Sequence, residues 1–159
     1  MNRKNHPAEE TALRLLARRD HSRKDLRQKL LIRKFSPAEA DAVLGSLSAR
    51  GFMDDARYAR RMALHLSAEK LLGPRRVRET LARQGISAET LASAAEEAER
   101  EFPAEKRLRK LAETKLKRRA SGELTPPEQR KLARFFYQRG FSWEDIQGFF
   151  HNAGGWFEE

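Results

Sequence analysis

SRKDLRQKLLIRKFSPAEADAVLGSLSARGFMDDARYA, residues 22–59, holds the pattern that the rest of the chain repeats. At its centre Phe35-Ser36-Pro37-Ala38-Glu39-Ala40 reads as a helix start. Ser36 is placed to cap the orphan backbone N–H groups, and Pro37 presets φ at the first helical position. Glu39, three residues on, can reach back to complete a capping box, while Phe35 would pack on Ala40 as a hydrophobic staple. Leu26, Leu30 and Leu31 keep helical spacing upstream, and Ala40, Val43, Leu44 and Leu47 keep it downstream. The stretch is a short helix, a tight turn and a second short helix.

The same figure returns twice. Val77, Leu81, Ile86-Ser87 and Leu91 reproduce the spacing of Leu26, Leu30, Phe35-Ser36 and Ala40, and so do Leu132, Phe136, Phe141-Ser142 and Ile146. The offsets are 51 and 55 residues, and in every copy a serine sits at the cap between an apolar pair. One apolar match would be chance, since any amphipathic helix places Leu at such spacing. Three matching sets predict three tandem three-helix modules, helix-turn-helix-like, bounded at 1–53, 54–102 and 103–159.

Composition agrees. Only 39% of the 159 residues are apolar and mean hydropathy is −0.80, so small modules burying a face on their neighbours fit better than one large core. Lys and Arg outnumber Asp and Glu by 33 to 23, and the net charge of +10 points to a polyanionic or acidic partner. Without cysteine there is neither a disulfide framework nor thiolate chemistry. No apolar run approaches the roughly 20 residues that span a bilayer. The opening MNRKNHPAEE lacks the apolar stretch of a signal peptide. The expectation is a soluble, cytoplasmic protein that makes no membrane contact.

The spacing predicts helices over about 8–19, 23–33 and 37–49 in the first module. Asp54 caps the next, near 55–71, with Met53 and Tyr58 as its staple. Gly73-Pro74 starts another, and Gly85 ends it before Ile86-Ser87. In the third module Leu108, Leu111, Ala112 and Leu116 line one face of a helix. Its other face is read as Lys106, Arg107, Arg109, Lys110, Lys115, Lys117, Arg118 and Arg119. Thr125-Pro126-Pro127-Glu128 is a further capping box, and the last helices carry most of the aromatic mass. Nothing alternates at period two long enough for a strand. All-α is the reading.

Signs of catalysis are weak. His6, His21, His65 and His151 lie far apart and offer no ligand spacing, so neither metal nor cofactor is expected. Asp54-Asp55 is better explained as a cap plus a first-turn acid favoured by the helix dipole than as a carboxylate pair. The repeated helix pair resembles a DNA-reading helix-turn-helix. Yet the outer faces of its second helices hold Ala38, Asp41, Ala42 and Ser46, then Ala88, Thr90, Ser93 and Glu97. Acids and alanines there argue against major-groove reading. What remains is charge. Arg57, Arg60, Arg61, Arg75, Arg76, Lys110, Lys115, Lys117, Arg118 and Arg119 are candidate partner contacts by charge placement alone.

Several segments also resemble the RecX family, regulators of the bacterial RecA recombinase. They are Arg19-Asp20-His21-Ser22 with Leu26 and Lys29-Leu30, and Gly51-Phe52-Met53-Asp54-Asp55 with Tyr58-Ala59. Gly73-Pro74-Arg75-Arg76-Val77 with Glu79 and Leu81, and Arg139-Gly140-Phe141-Ser142, complete the set. The resemblance runs over nearly the whole chain, in order. It implies three tandem three-helix modules in an elongated, curved, monomeric molecule with no catalytic residues. It also implies binding in the groove of the RecA filament on single-stranded DNA, where filament growth, ATP hydrolysis and strand exchange are blocked. Direct contact with single-stranded DNA would be weak. Lys34 departs from the pattern, because Gly85 and Gly140 stand at its equivalents. A left-handed residue with a side chain costs roughly 1 kcal/mol, so a differently built first turn is expected. Two other functions fit the charge and the repeats: a free-standing nucleic-acid-binding protein, and an adaptor for another protein filament.

Overall fold

The computed structural model describes residues 7–116 and 124–152. Among them are nine α-helices and no strand: α1 Pro7–Arg18, α2 Arg23–Ile32, α3 Pro37–Ala49, α4 Asp55–Ala68, α5 Pro74–Arg83, α6 Ala88–Glu101, α7 Ala104–Leu116, α8 Pro126–Gln138 and α9 Trp143–Asn152. The helix pairs that pack most extensively fall within three consecutive groups, α1–α3, α4–α6 and α7–α9. The all-α, three-module fold is the one the repeat predicts. α4 stops three residues short of the expected 71, because Leu71 turns left-handed at φ 51°.

Local chemistry sets the three repeated starts. Ser36 accepts from the Glu39 N–H while the Glu39 carboxylate accepts from the Ser36 N–H, the expected reciprocal box. Ser142 makes the same exchange with Asp145, and Ser87 accepts from the Thr90 N–H. The turn before each cap is also the same. Phe35, Ile86 and Phe141 donate to the carbonyls of Leu30, Leu81 and Phe136, while Lys34, Gly85 and Gly140 donate to Leu31, Ala82 and Tyr137. The residue in the turn is left-handed in all three copies, with φ of 70°, 77° and 94°. Lys34 therefore does not build a different turn, contrary to expectation. The hydrogen-bond pattern is retained and the strain of its side chain is accepted.

Each group encloses its own core. Leu26, Leu30, Ala40, Leu44 and Leu47 fill the first with Phe35 against them, and Tyr58, Val77, Leu81 and Ile86 the second with Leu91 against them. Phe136, Phe141 and Ile146 fill the third. Phe136 meets Phe141 and Phe149 edge-on, with ring centroids 6.3 and 5.4 Å away. Met53 packs into the first core and Tyr58 into the second, so the expected staple pair is divided between modules. Leu71 likewise packs against the third core although it follows α4.

Successive modules join through one repeated arrangement. The turn between the second and third helices of a module lies against the helix start of the module before it. At the first junction Lys24 Nζ donates to the Arg83 carbonyl at 3.0 Å, and Ser22 Oγ lies 3.4 Å from Gln84 Oε1. The Arg23 N–H donates to Asp55 at 2.9 Å, and Arg61 pairs with Asp20 at 2.6 Å. At the second, the Gly73 N–H donates to the Arg139 carbonyl at 2.8 Å and the Arg75 N–H to the Gly140 carbonyl at 3.1 Å. A Cβ on Gly73 would overlap the Gly140 carbonyl, and one on Gly140 would lie 2.6 Å from the Arg76 nitrogen. Glycine is required at both places by close approach.

Candidate partner interface

α4 carries Arg57, Arg60 and Arg61 on the face opposite Tyr58, Ala59, Ala63 and Leu66, the side chains its amphipathic spacing buries. All three arginines are exposed, but two are engaged. Arg60 Nε holds Glu97 of α6 at 2.7 Å, and Arg61 ties Asp20 of the preceding module. Arg57 borders a shallow depression with Arg23, Ser48, Asp54 and Asp55, and no ion pair holds its guanidinium among the described residues.

Arg75 and Arg76 open α5 at the second junction. Arg75 bonds Glu79 at 3.0 Å and the Tyr137 carbonyl at 2.8 Å, and its guanidinium lies 5.1 Å from the Tyr137 ring centre. Arg76 lies 3.6 Å from Glu79. On α7, Lys110 is exposed with no ion pair among the described residues, and Lys115 Nζ sits 4.5 Å over the Phe135 ring. Lys117, Arg118 and Arg119 lie outside the described residues. The described candidates thus sit on three different helices, α4, α5 and α7.

Arg107 corrects the expected basic face. It is only 2% exposed, and its guanidinium pairs with Glu99, reaches the Leu72 carbonyl, donates to Ser67 Oγ at 3.2 Å and lies 5.6 Å from the Phe141 ring centre. A cation taken from water must be paired and hydrogen-bonded, and the two terminal nitrogens of Arg107 meet that demand with groups from α4, α6 and the loop after α4, while its Nε is buried without an acceptor among the described residues. It joins the second module to the third and is withdrawn from any partner.

The helix-turn-helix faces are engaged too. Asp41 takes a two-pronged contact from Arg27 at 2.7 and 3.0 Å, whose hydrogen bonds hold its carboxyl below the ordinary value. Glu97 is held by Arg60. These acids brace their own modules, which agrees with the absence of base-reading side chains.

Sequence reasoning passed over one basic group. Arg130, Arg134 and Tyr137 recur at helical spacing along α8, and with Lys131, Ala133 and Trp143 they line an open groove. Two aromatic residues at the end of such a cationic stripe are the signal that spacing alone offered. Among the described residues no cluster of His, Cys, Asp or Glu suits a metal ion, and no helix is long and apolar enough to cross a membrane.

Known proteins share this architecture. Family models for the first, second and third three-helix domains of RecX match residues 8–47, 54–94 and 104–150, in chain order. A regulatory protein RecX of Stenotrophomonas maltophilia is 35% identical over 91% of this chain and 88% of its own length. One from Cronobacter sakazakii is 34% identical over 89% and 88%. The crystal structure of RecX from Lactobacillus salivarius superposes with a TM-score of 0.75 at 20% identity, covering 92% of this chain and 94% of that one. A match in all three modules, in order, at this identity over nearly both full lengths leaves one assignment: the chain belongs to the RecX family.

Proposed function

We propose that the chain regulates a RecA-type recombinase by binding its filament on single-stranded DNA, blocking filament extension, ATP hydrolysis and strand exchange. The observation that carries this reading is the family match across all three modules. The proposed units are residues 1–53, 54–102 and 103–159, set in an elongated, curved array whose concave face lies along the helical partner. Binding, not catalysis, is the mode of action.

The proposed division of labour assigns steering to charge and fit to the array. Arg57, Lys110 and Lys115, with Lys117, Arg118 and Arg119, supply attraction, because no carboxylate neutralises Arg57, Lys110 or Lys115 among the described residues. Arg60, Arg61, Arg75 and Arg76 contribute less to steering, since Glu97, Asp20 and Glu79 already offset them.

Titration into a recombinase ATPase assay on single-stranded DNA, paired with competition binding at two salt concentrations, tests the reading. ATP hydrolysis is expected to fall, and the filament is expected to hold the protein with a shallower salt slope than naked DNA does. If free single-stranded DNA displaces the protein from the filament at equal nucleotide concentration, the chain is instead a free-standing nucleic-acid binder.

A further inference from the structure

Among the described residues, two exposed aromatic side chains stand out from the otherwise polar surface of the third module. Tyr137, at the end of α8, is 43% exposed, and Trp143, at the start of α9, is 55% exposed. Their rings stack, with centroids 5.3 Å apart and planes 20° from parallel. Burial does not explain the pair, because the third core is complete beneath them in Phe136, Phe141 and Ile146. Arg75 of the neighbouring module lies against Tyr137 through both its ring and its carbonyl, which fixes the column from one side.

The surroundings are cationic. Arg130, Lys131 and Arg134 line the same groove and Ala133 forms its floor, with no carboxylate among the lining residues. All three cations are exposed, and none has an ion pair among the described residues. Several surface arginines elsewhere are paired, as Arg27, Arg50, Arg60, Arg61 and Arg109 are. Here two arginines and a lysine stand open beside a wide π-face.

We infer that the Tyr137–Trp143 column is a base-stacking platform for single-stranded nucleic acid, with Arg130, Lys131 and Arg134 tracking the adjacent phosphates. Every base offers a π-face to an indole, and phosphates follow at a spacing that successive helix positions can meet, so recognition is independent of sequence. An acidic protein surface would satisfy the cations equally well but would leave the stacked rings without a role. The charge and the rings together therefore favour nucleic acid. Arg75, pinned by Glu79, positions Tyr137 rather than touching the strand. The inference does not need the recombinase, since DNA alone tests it.

The full chain has two tryptophans, so Trp156→Phe leaves Trp143 as the sole indole reporter. Its emission is followed on titration with a short oligothymidylate, with an abasic oligomer of the same length and with polyglutamate. Oligothymidylate is expected to quench Trp143. The abasic strand is expected to bind roughly 5- to 150-fold more weakly, without quenching, as the loss of one or two stacked bases implies. Trp143→Ala, read by anisotropy of labelled oligothymidylate, loses a similar factor, and Trp143→Phe restores part of it. Arg134→Ala lowers the salt slope by about one while leaving the base-dependent difference intact. Circular dichroism confirms that each variant keeps its helices. Equal affinity for the abasic strand and oligothymidylate, or binding unmoved by Trp143→Ala, overturns the platform. Quenching by polyglutamate without quenching by DNA assigns the groove to an acidic protein instead.

Discussion

Two junctions built from equivalent segments hold their modules by different means. At the first, the contacts that cross are chiefly side-chain tips: Lys24 on the Arg83 carbonyl, Ser22 near Gln84, Arg61 on Asp20. At the second they are chiefly main chain on main chain, the Gly73 N–H to the Arg139 carbonyl and the Arg75 N–H to the Gly140 carbonyl, reinforced by buried Arg107. A flexible side chain can follow a small rotation of its neighbour, whereas a pair of backbone hydrogen bonds at 2.8 and 3.1 Å cannot. Modules two and three are therefore expected to move as one body and module one to pivot on it. In the binding mode proposed above, that places adjustment at one end and rigidity at the other.

The largest perturbation separates the modules most clearly. Phe141→Ala empties a fully buried site in the third core and should remove about 3–5 kcal/mol. Hydrogen exchange should rise throughout α7–α9, partly in α4–α6 through the rigid junction, and least in α1–α3. An equal rise in all three modules would break the comparison.

Glycine substitutions probe the junctions directly. Gly73→Ala drives a methyl into the Gly140 backbone and should cost near the upper end of about 1–3 kcal/mol. Gly85→Ala meets only the Lys24 side chain, 2.8 Å from its Cδ, and adds left-handed strain of about 1–2 kcal/mol. Adding Lys24→Ala should recover only the part of the Gly85 cost due to Cγ and Cδ, because the Lys24 Cβ itself lies 2.9 Å away, while no truncation rescues Gly73→Ala. Denaturant unfolding of the single variants and of the Gly85→Ala, Lys24→Ala pair decides the matter, and a milder loss at Gly73 would reverse the assignment of rigidity.

How much of this was legible follows from range. The caps at Ser36, Ser87 and Ser142 could be read because each is settled within about five residues, by groups the sequence writes side by side. The junctions could not. Gly73 and Gly140 are 67 residues apart, and nothing local says that their backbones meet. In sequence Arg107 is one more cation on an outer face, because Lys106, Arg109 and Lys110 surround it. Only Ser67, Leu72 and Glu99, brought in from the second module, reveal why it is buried. Likewise the candidate cations were legible as charges, but not as charges already neutralised by Glu97, Asp20 and Glu79.

Two smaller effects sharpen the contrast. Lys34→Gly should relieve about 1 kcal/mol of strain, partly offset by the greater freedom of glycine in the unfolded chain, about 0.4–1 kcal/mol. A small rise in melting temperature is the expected outcome, and a fall would mean that the Lys34 side chain makes a stabilising contact.

The smallest effect is a pH dependence. Burial pushes the Asp25 carboxyl up, but the His21 hydrogen bond at 2.6 Å, with Lys29, His21 and Arg19 as nearby charges, outweighs it and holds the group below its ordinary 3.8. A carboxyl depressed on folding contributes stability that is present above the ordinary value and is lost as pH falls through the folded one. Acid should thus loosen the first module ahead of the second junction, where Arg76 occupies the equivalent position. Unfolding curves of Asp25→Asn against pH should lose that part of the slope.

Lys34 has one more consequence, for copies of the chain rather than for its own turn. At both internal junctions, the residue equivalent to Lys34 is a glycine lying against the helix start of the module before it. A second copy stacking its first module onto the end of this one would repeat that step without closing, and such head-to-tail growth yields open fibres. A lysine where the contact demands no side chain leaves that step without room. Stacking of that kind would first have to move the Lys34 side chain, which neither internal junction requires.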